Sequence, residues 1–148
     1  MEKALRILME KGKNMPPRKS GEAYTRHSRE VTTRCVREGL SLQYIIVALL
    51  HDLPEDGLLS LDSIRDKFGE EITASVDALT HREGESYLRY VFRLSHDRVA
   101  SKVKWHDIRA NMDGFQSPKK RFLYPLSLVI LYCSPLWQEQ GIPFFRPF

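Results

Sequence analysis

An apolar run meets a cluster of ligand-type side chains in the stretch Ile45-Ile46-Val47-Ala48-Leu49-Leu50-His51-Asp52-Leu53-Pro54-Glu55-Asp56. The apolar run predicts the buried part of a helix, and the residues after it supply an imidazole and three carboxylates. The C-terminal end of a helix carries partial negative charge, which favours a cation there. Imidazole and carboxylate together form a ligand set for a divalent transition metal. From this stretch alone, a metal site and a solvated helix end both remain open.

Length and composition predict one globular domain. The chain has 148 residues, of which 42% are hydrophobic and 28% charged, so it can bury a sizeable core and is not expected to be disordered. Its net charge is +4, with basic residues spread along the chain, which suits an anionic small molecule as well as nucleic acid. Cys35 and Cys133 have no metal-binding spacing and predict two reduced, buried thiols. The N-terminus lacks the apolar region of a signal peptide, so we expect a cytoplasmic protein.

One apolar segment near the C-terminus could be taken for a membrane-spanning helix. Residues 122–137 contain no charged side chain. The segment is shorter than the ~20 residues that a spanning helix needs, and Pro125 and Pro135 interrupt it. We therefore expect a buried helix and no membrane insertion.

Helical periodicity runs through nearly the whole chain, and no strand pair with turn chemistry is found. The sequence therefore predicts an all-α, single-domain bundle of about eight helices. Local chemistry predicts helix stops at Gly12, Gly39 and Gly69, and helix N-caps at Ser41, Ser60 and Asp97. Pro125 lies awkwardly inside the last predicted helix, residues 119–132.

The dipeptide His-Asp occurs three times, beginning at residues 51, 96 and 106. Because Asp97 can cap a helix, we interpret His96-Asp97 as structural. Of the remaining histidines, His81 lies in a polar turn and is predicted to be solvated, whereas His27 lies in the second helix. A lone helix histidine is more often a packing or surface residue than a ligand.

Asp107 lies inside a periodic helix, where aspartate is mildly disfavoured. It can share one face with Lys104 and Asn111, either as an exposed polar stripe or as part of a site. His106 is offset from Asp107 by about 100° around the helix, so both cannot point at one centre. We choose Asp107, because its face also carries Asn111.

Four blocks, in order along the chain, resemble the hydrolase domain of RelA/SpoT-type alarmone enzymes. The first is Arg18-Lys19-Ser20-Gly21-Glu22-Ala23-Tyr24-Thr25-Arg26-His27, an Arg-Lys pair, a loop, a Tyr and a His three residues later. The second, His51-Asp52-Leu53-Pro54-Glu55-Asp56, is similar to the family's His-Asp-x-x-Glu-Asp. The third joins Phe68-Gly69-Glu70-Glu71-Ile72 to Val76-Asp77-Ala78-Leu79-Thr80. The fourth, residues 103–112, looks like the family's Val-Lys-Leu-Ala-Asp-x-x-x-Asn-Met helix. With no synthetase domain attached, the chain most resembles the small, single-domain alarmone hydrolases of the HD superfamily.

The resemblance implies a site with three groups of residues. The metal ligands would be His27, His51, Asp52 and Asp107, holding one ion that is usually Mn²⁺ in this family. Glu55 and Asp56 would position and activate the attacking water. The substrate contacts would be Arg18, stacking on the purine, together with Lys19, Lys104, Asn111 and Tyr124.

The sequence departs from the family pattern in places. Pro54 and Gly57 replace more usual residues around the acidic pair, and Trp105-His106 replaces small or apolar residues before the last ligand. The predicted domain covers residues 1–133, and residues 134–148 form a tail rich in proline and aromatic residues. This tail is expected to cover a hydrophobic face or a dimer partner.

The resemblance implies a metal-dependent phosphohydrolase that releases pyrophosphate from the 3′ position of ppGpp-like nucleotides and leaves the nucleoside 5′-diphosphate. Two alternatives remain open: action on another nucleotide or phosphate ester, such as a deoxynucleoside monophosphate, and a catalytically weak nucleotide-binding module. The expected partner is a small-molecule nucleotide, with no nucleic acid and no membrane, and a homo-oligomer is compatible with the sequence.

Overall fold

The computed structural model describes residues 1–17, 21, 23–113 and 118–134. Within them the chain forms eight α-helices and no strand, as predicted. The helices are α1 Glu2–Gly12, α2 Tyr24–Arg37, α3 Leu42–Leu50, α4 Leu61–Phe68, α5 Glu70–Leu79, α6 Tyr87–Leu94, α7 Arg98–Met112 and α8 Pro118–Tyr132. The predicted division at residue 133 stays a prediction, since residues 135–148 lie outside the described part of the chain.

Most helix ends follow the local chemistry of the sequence. The Ser60 hydroxyl accepts a hydrogen bond from the Ser63 N–H, and the Asp97 carboxylate accepts one from the Ala100 N–H at 2.7 Å. Ser41 occupies the N-cap position of α3, but its side chain accepts no hydrogen bond from the first turn. Helix α1 ends at Gly12, where a stop was predicted, and Gly12 is its buried last residue.

The core forms where α2, α3 and α7 pack against one another, with α5 against α3 and α7. The apolar run that precedes His51 is its centre: residues 47–50 are buried, whereas Ile45 and Ile46 are half-buried. Leu50 and Leu53 are both fully buried, one on each side of His51-Asp52. Burial of a leucine side chain contributes about 2 kcal/mol, so packing fixes the position of the polar residues between them.

Helix α8 is buried on one face only. Tyr124, Ser127 and Leu131 are buried, but Phe122 is 73% exposed and Val129 is 56% exposed. The expectation of a buried helix is therefore wrong for the second face. Among the described residues, no helix is long and apolar enough to cross a membrane.

The two cysteines also differ from expectation. Cys35 is buried and Cys133 is exposed, and both are free thiols. The prediction of two buried thiols is correct only for Cys35, where burial raises the pKa to about 12. Cys133 follows the last residue of α8 and lies at the surface.

A charge cluster joins the exposed Glu38, at the end of α2, to two buried residues of α7. The Glu38 carboxylate contacts the Lys102 ammonium and lies 2.8 Å from His106 Nε2. Burial would raise the pKa of Glu38, but His106 and Lys102 together lower it to about 2. Because the pKa of glutamate in the unfolded chain is about 4.5, this group stabilises the fold fully above pH 4.5. That contribution is lost as the pH falls from 4.5 towards 2.

We expect Glu38→Gln to lower the free energy of unfolding at pH 7 by about 1–2 kcal/mol, a value reduced because the side chain is 36% exposed. The difference from wild type should shrink below pH 4.5, as the wild-type carboxylate takes up a proton. Urea unfolding at pH 7, 4.5 and 3 measures it, with the exposed Glu10→Gln as control. A difference that stays constant over this range would contradict the assignment.

Candidate metal centre

Three helices bring three ligand-type side chains together. His27 lies on α2, His51 directly follows α3, and Asp107 lies on α7. Each offers one ligand atom, and these atoms all lie within 4.8 Å of one another. All three side chains are buried, at 6%, 3% and 5% exposure. The sequence predicted these three as ligands, and the fold brings them together from positions up to 80 residues apart.

The His51 ring is held with one nitrogen facing this cluster. Its Nδ1 donates a hydrogen bond to the Ala48 carbonyl oxygen at 2.8 Å, so in the neutral ring Nε2 carries the lone pair. Nε2 is buried and makes no hydrogen bond within the described part of the chain. It lies 3.0 Å from Asp52 Oδ1 and 4.0 Å from Asp107 Oδ1. A lone pair facing carboxylate oxygens is the arrangement that a shared cation stabilises.

These distances fit a divalent ion. Ligands about 2.1 Å from an octahedral ion lie about 3 Å from their neighbours. The separation of His27 Nε2 from Asp107 Oδ1 is 2.7 Å, and that of His51 Nε2 from Asp52 Oδ1 is 3.0 Å. Asp52 is half-buried and approaches from the His51 side, outside the group of three mutually close atoms. The donor set of imidazole and carboxylate therefore fits a divalent metal ion, with Asp52 at the edge of the group.

Asp107 remains ionised although it is wholly buried. Lys104 Nζ lies 2.7 Å from Oδ2, and the Asn111 side-chain amide donates to Oδ1 at 2.7 Å. Burial would raise the pKa of Asp107, but Lys104 and the hydrogen bond with His27 hold it well below its usual value. The neighbouring His106 points instead towards Glu38, as the helical offset required. Of these two neighbours on α7, Asp107 therefore faces the candidate metal centre and His106 faces Glu38.

The Lys104 side chain is only 12% exposed. Burial would lower its pKa, but Asp107, Tyr90 and Tyr87 hold that pKa well above the usual value. Its ammonium lies 5.0 Å from the centroid of the Tyr90 ring and 5.8 Å from that of Tyr87. Lys104 therefore stabilises the ionised form of the candidate ligand Asp107. Its predicted contact with substrate stays a prediction.

The acidic pair lies on a hydrogen-bonded turn after α3. Glu55 and Asp56 are both exposed, and the Asp56 N–H donates to the Asp52 carbonyl oxygen at 3.1 Å. Glu55 Oε2 accepts the His81 backbone N–H at 3.3 Å, and Asp56 Oδ2 accepts the Tyr24 hydroxyl at 2.5 Å. Both carboxylates are thus outside the three-residue cluster, next to the candidate ligand Asp52.

The predicted substrate contacts have different positions. Arg18 and Lys19 lie outside the described residues. Asn111 is half-buried, and its side-chain amide also donates to the Asp107 carbonyl oxygen at 3.0 Å. Tyr124 is buried, 6.2 Å from Tyr87 between ring centroids. Asn111 thus contacts the cluster directly, whereas Tyr124 reaches it through Tyr87 and Lys104.

The sequence did not indicate the two tyrosines of α6, and the prediction of a solvated His81 is wrong. The Tyr90 hydroxyl donates to the Leu79 carbonyl oxygen at 2.5 Å, and burial raises the pKa of Tyr90 to about 12. His81 is half-buried and not solvated: its Nε2 donates to the Glu85 carbonyl oxygen, and its ring packs edge-on against Tyr90. Tyr87 and Tyr90 are three residues apart on α6, and no sequence signal connected them to the site.

Comparison with known proteins agrees with this class of helical, metal-ligating site. The model of the HD domain family matches residues 5–111, and the chain belongs to that family. The resemblance of the four sequence blocks to RelA/SpoT-type enzymes is thereby confirmed.

Two similar relatives are long proteins. A guanosine-3′,5′-bis(diphosphate) 3′-pyrophosphohydrolase of Aquifex aeolicus is 30% identical over 136 residues, covering 84% of this chain and 19% of the relative. A probable GTP pyrophosphokinase of Mycobacterium leprae is 28% identical over 147 residues, covering 86% and 19%.

The chain therefore spans about a fifth of the length of these curated relatives. A solved structure, that of a metazoan orthologue of SpoT described as hydrolysing ppGpp, matches with a TM-score of 0.75. That match covers 96% of both chains at 17% sequence identity, and it establishes a shared fold.

Proposed function

We propose that this chain is a metal-dependent phosphohydrolase that removes the 3′-pyrophosphate of guanosine 3′,5′-bis(diphosphate)-like nucleotides. The observation that carries the proposal is the convergence of His27, His51 and Asp107, with the free lone pair of His51 Nε2 facing carboxylate oxygens. A buried carboxylate held ionised beside two imidazoles has little purpose in a core, since burying such groups costs free energy. Lys104 offsets part of that cost, and a bound cation shared with the imidazoles would offset more of it.

The ion would be held by His27, His51 and Asp107, with Asp52 completing the set. We propose Mn²⁺, because imidazole with carboxylate suits it and leaves positions for substrate. When bound, such an ion supplies positive charge to a phosphoryl oxygen and acidifies water. Lys104 and Asn111 would keep the Asp107 carboxylate ionised and oriented.

Glu55 and Asp56 would orient the attacking water and accept its proton. Both carboxylates are exposed, and each is held by a donor from another segment. The water oxygen attacks the phosphorus attached to the ribose 3′ oxygen, and the bond between that phosphorus and the 3′ oxygen breaks. The 3′ oxygen then takes up a proton, which gives the nucleoside 5′-diphosphate and pyrophosphate.

Substrate recognition would come from basic and planar side chains. Arg18 would stack on the purine, Lys19 would meet a phosphate, and Asn111 and Tyr124 would line the nucleotide side. The Aquifex aeolicus relative, whose name specifies the 3′-pyrophosphate, supports this substrate over a simple monophosphate. We expect a small-molecule nucleotide of the cytoplasm as the partner, with hydrolysis of another phosphate ester as the second candidate.

Product analysis tests the proposal. The protein is incubated with ppGpp and either Mn²⁺ or EDTA, and products are separated by anion-exchange chromatography. We expect GDP and pyrophosphate in equal amounts, and only with the ion present. Orthophosphate released from deoxynucleoside monophosphates, with ppGpp left intact, would favour the second candidate. Binding of ion and nucleotide without any product would favour a binding module.

A further inference from the structure

Tyr24 connects the first candidate ligand helix to the acidic pair. It is the first residue of α2, one turn before His27, and it is only 6% exposed. Its hydroxyl donates to Asp56 Oδ2 at 2.5 Å, across 32 residues of sequence. A single helix thus carries both a predicted metal ligand and a hydrogen-bond donor to a predicted water-handling carboxylate.

This hydrogen bond controls a group that the loop alone leaves free to rotate. The backbone of the turn is fixed by the bond from the Asp56 N–H to the Asp52 carbonyl oxygen, but the Asp56 side chain is exposed. A hydroxyl donor to a carboxylate forms a short, charge-assisted hydrogen bond. By engaging Oδ2, the Tyr24 hydroxyl fixes the plane of the carboxylate and leaves Oδ1 available to accept from a water molecule.

The Tyr24 ring is itself fixed by close packing with α1. Gly12 is buried, and a Cβ added there would lie 2.9 Å from Tyr24 Cδ1 and 2.5 Å from Thr25 Cγ2. Any side chain larger than hydrogen would displace the beginning of α2. The absence of a Cβ at Gly12 therefore allows the approach that places the Tyr24 hydroxyl at Asp56.

We propose that Tyr24 is a positioning residue that sets the orientation of the Asp56 carboxylate for water activation, an inference that rests on the proposed function. The Tyr24 ring packs against α1, while its hydroxyl orients a functional group. Removing the hydroxyl should slow turnover without weakening the metal site or nucleotide binding.

A double-mutant cycle tests this inference, with Tyr24→Phe, Asp56→Ala and the double variant compared with wild type, because alanine removes the acceptor of the hydrogen bond. We expect Tyr24→Phe to lower kcat on the order of tenfold, with the KM for ppGpp and the affinity for Mn²⁺ within about twofold of wild type. In the Asp56→Ala background, Tyr24→Phe should add less than about twofold, because its effect passes through the carboxylate. Tyr44→Phe, at a half-buried tyrosine of α3, is the control and should match wild type.

Multiplicative losses of kcat in the double variant would overturn the inference, as would a Tyr24→Phe defect confined to KM or metal affinity. The melting temperatures of the same four proteins keep it testable without turnover. We expect the double variant to melt within about one degree of the less stable single variant, whereas additive losses would exclude the hydrogen bond. A wild-type protein that hydrolyses no nucleotide would refute the proposed function, and the melting cycle would still decide the orientation of Asp56.

Discussion

Replacing His51 with alanine is expected to abolish high-affinity binding of Mn²⁺ and to lower kcat/KM for ppGpp by at least about 10³-fold. The substitution removes the buried Nε2 lone pair, which lies 3.0 Å from Asp52 and 4.0 Å from Asp107. Without this nitrogen, the candidate site would keep only one of its two imidazole ligands. Loss of the several kcal/mol that a metal ion contributes corresponds to a change of this size. Isothermal titration with Mn²⁺ and the product assay measure the two effects.

The matched control is His96→Ala, which alters another His-Asp pair of the chain. His96 is exposed, and its Nδ1 donates to the Phe92 carbonyl oxygen at 2.9 Å, away from the cluster. This variant should bind Mn²⁺ and turn over ppGpp within about twofold of wild type. Wild-type metal affinity in His51→Ala would remove His51 from the ligand set.

The second large effect is expected for Glu55→Gln, which should keep the metal and lose turnover by about 10²–10⁴-fold. The amide can still accept the His81 backbone N–H, so the loop should keep its conformation. It cannot accept a proton from water, however, and that is the step assigned to the carboxylate. Mn²⁺ titration and the kcat for ppGpp separate these two consequences.

Glu71→Gln serves as the control, because Glu71 is an exposed carboxylate in the first turn of α5. Its turnover should equal that of wild type. Full activity in Glu55→Gln would exclude the proton-accepting role, and a parallel loss of Mn²⁺ affinity would instead make Glu55 part of the metal site.

The sequence predicted the fold because its signals are local. Helices end just before Gly39 and Gly69, where the backbone has φ of 76° and 86°, a conformation that glycine adopts readily. Helix α7 begins at the Asp97 cap, which bonds to a backbone N–H three residues later. His51 and Asp107 could be selected from an apolar helix end and a helix face. His27 needed the family resemblance, because a single histidine on a helix carries no signal of what lies opposite it.

Local sequence signals do not predict contacts between distant segments of the chain. The Tyr24–Asp56 and His81–Glu55 hydrogen bonds join residues 32 and 26 positions apart, so they depend on how the helices pack. The sequence spacing placed Lys104 on the same helix face as Asp107. The sequence did not show that an aromatic ring of α6 lies beside the Lys104 ammonium. Likewise, a charge-free sequence could not distinguish the buried face of α8 from the exposed one that carries Phe122.

The central claim is that residues from α2, α7 and the turn after α3 hold one divalent ion. Anomalous diffraction at the manganese edge, from crystals grown with Mn²⁺, tests it most directly. We predict one strong peak about 2.1–2.3 Å from His27 Nε2, His51 Nε2 and a carboxylate oxygen each of Asp52 and Asp107. A peak elsewhere, or no peak among these four residues at saturating Mn²⁺, would contradict the account.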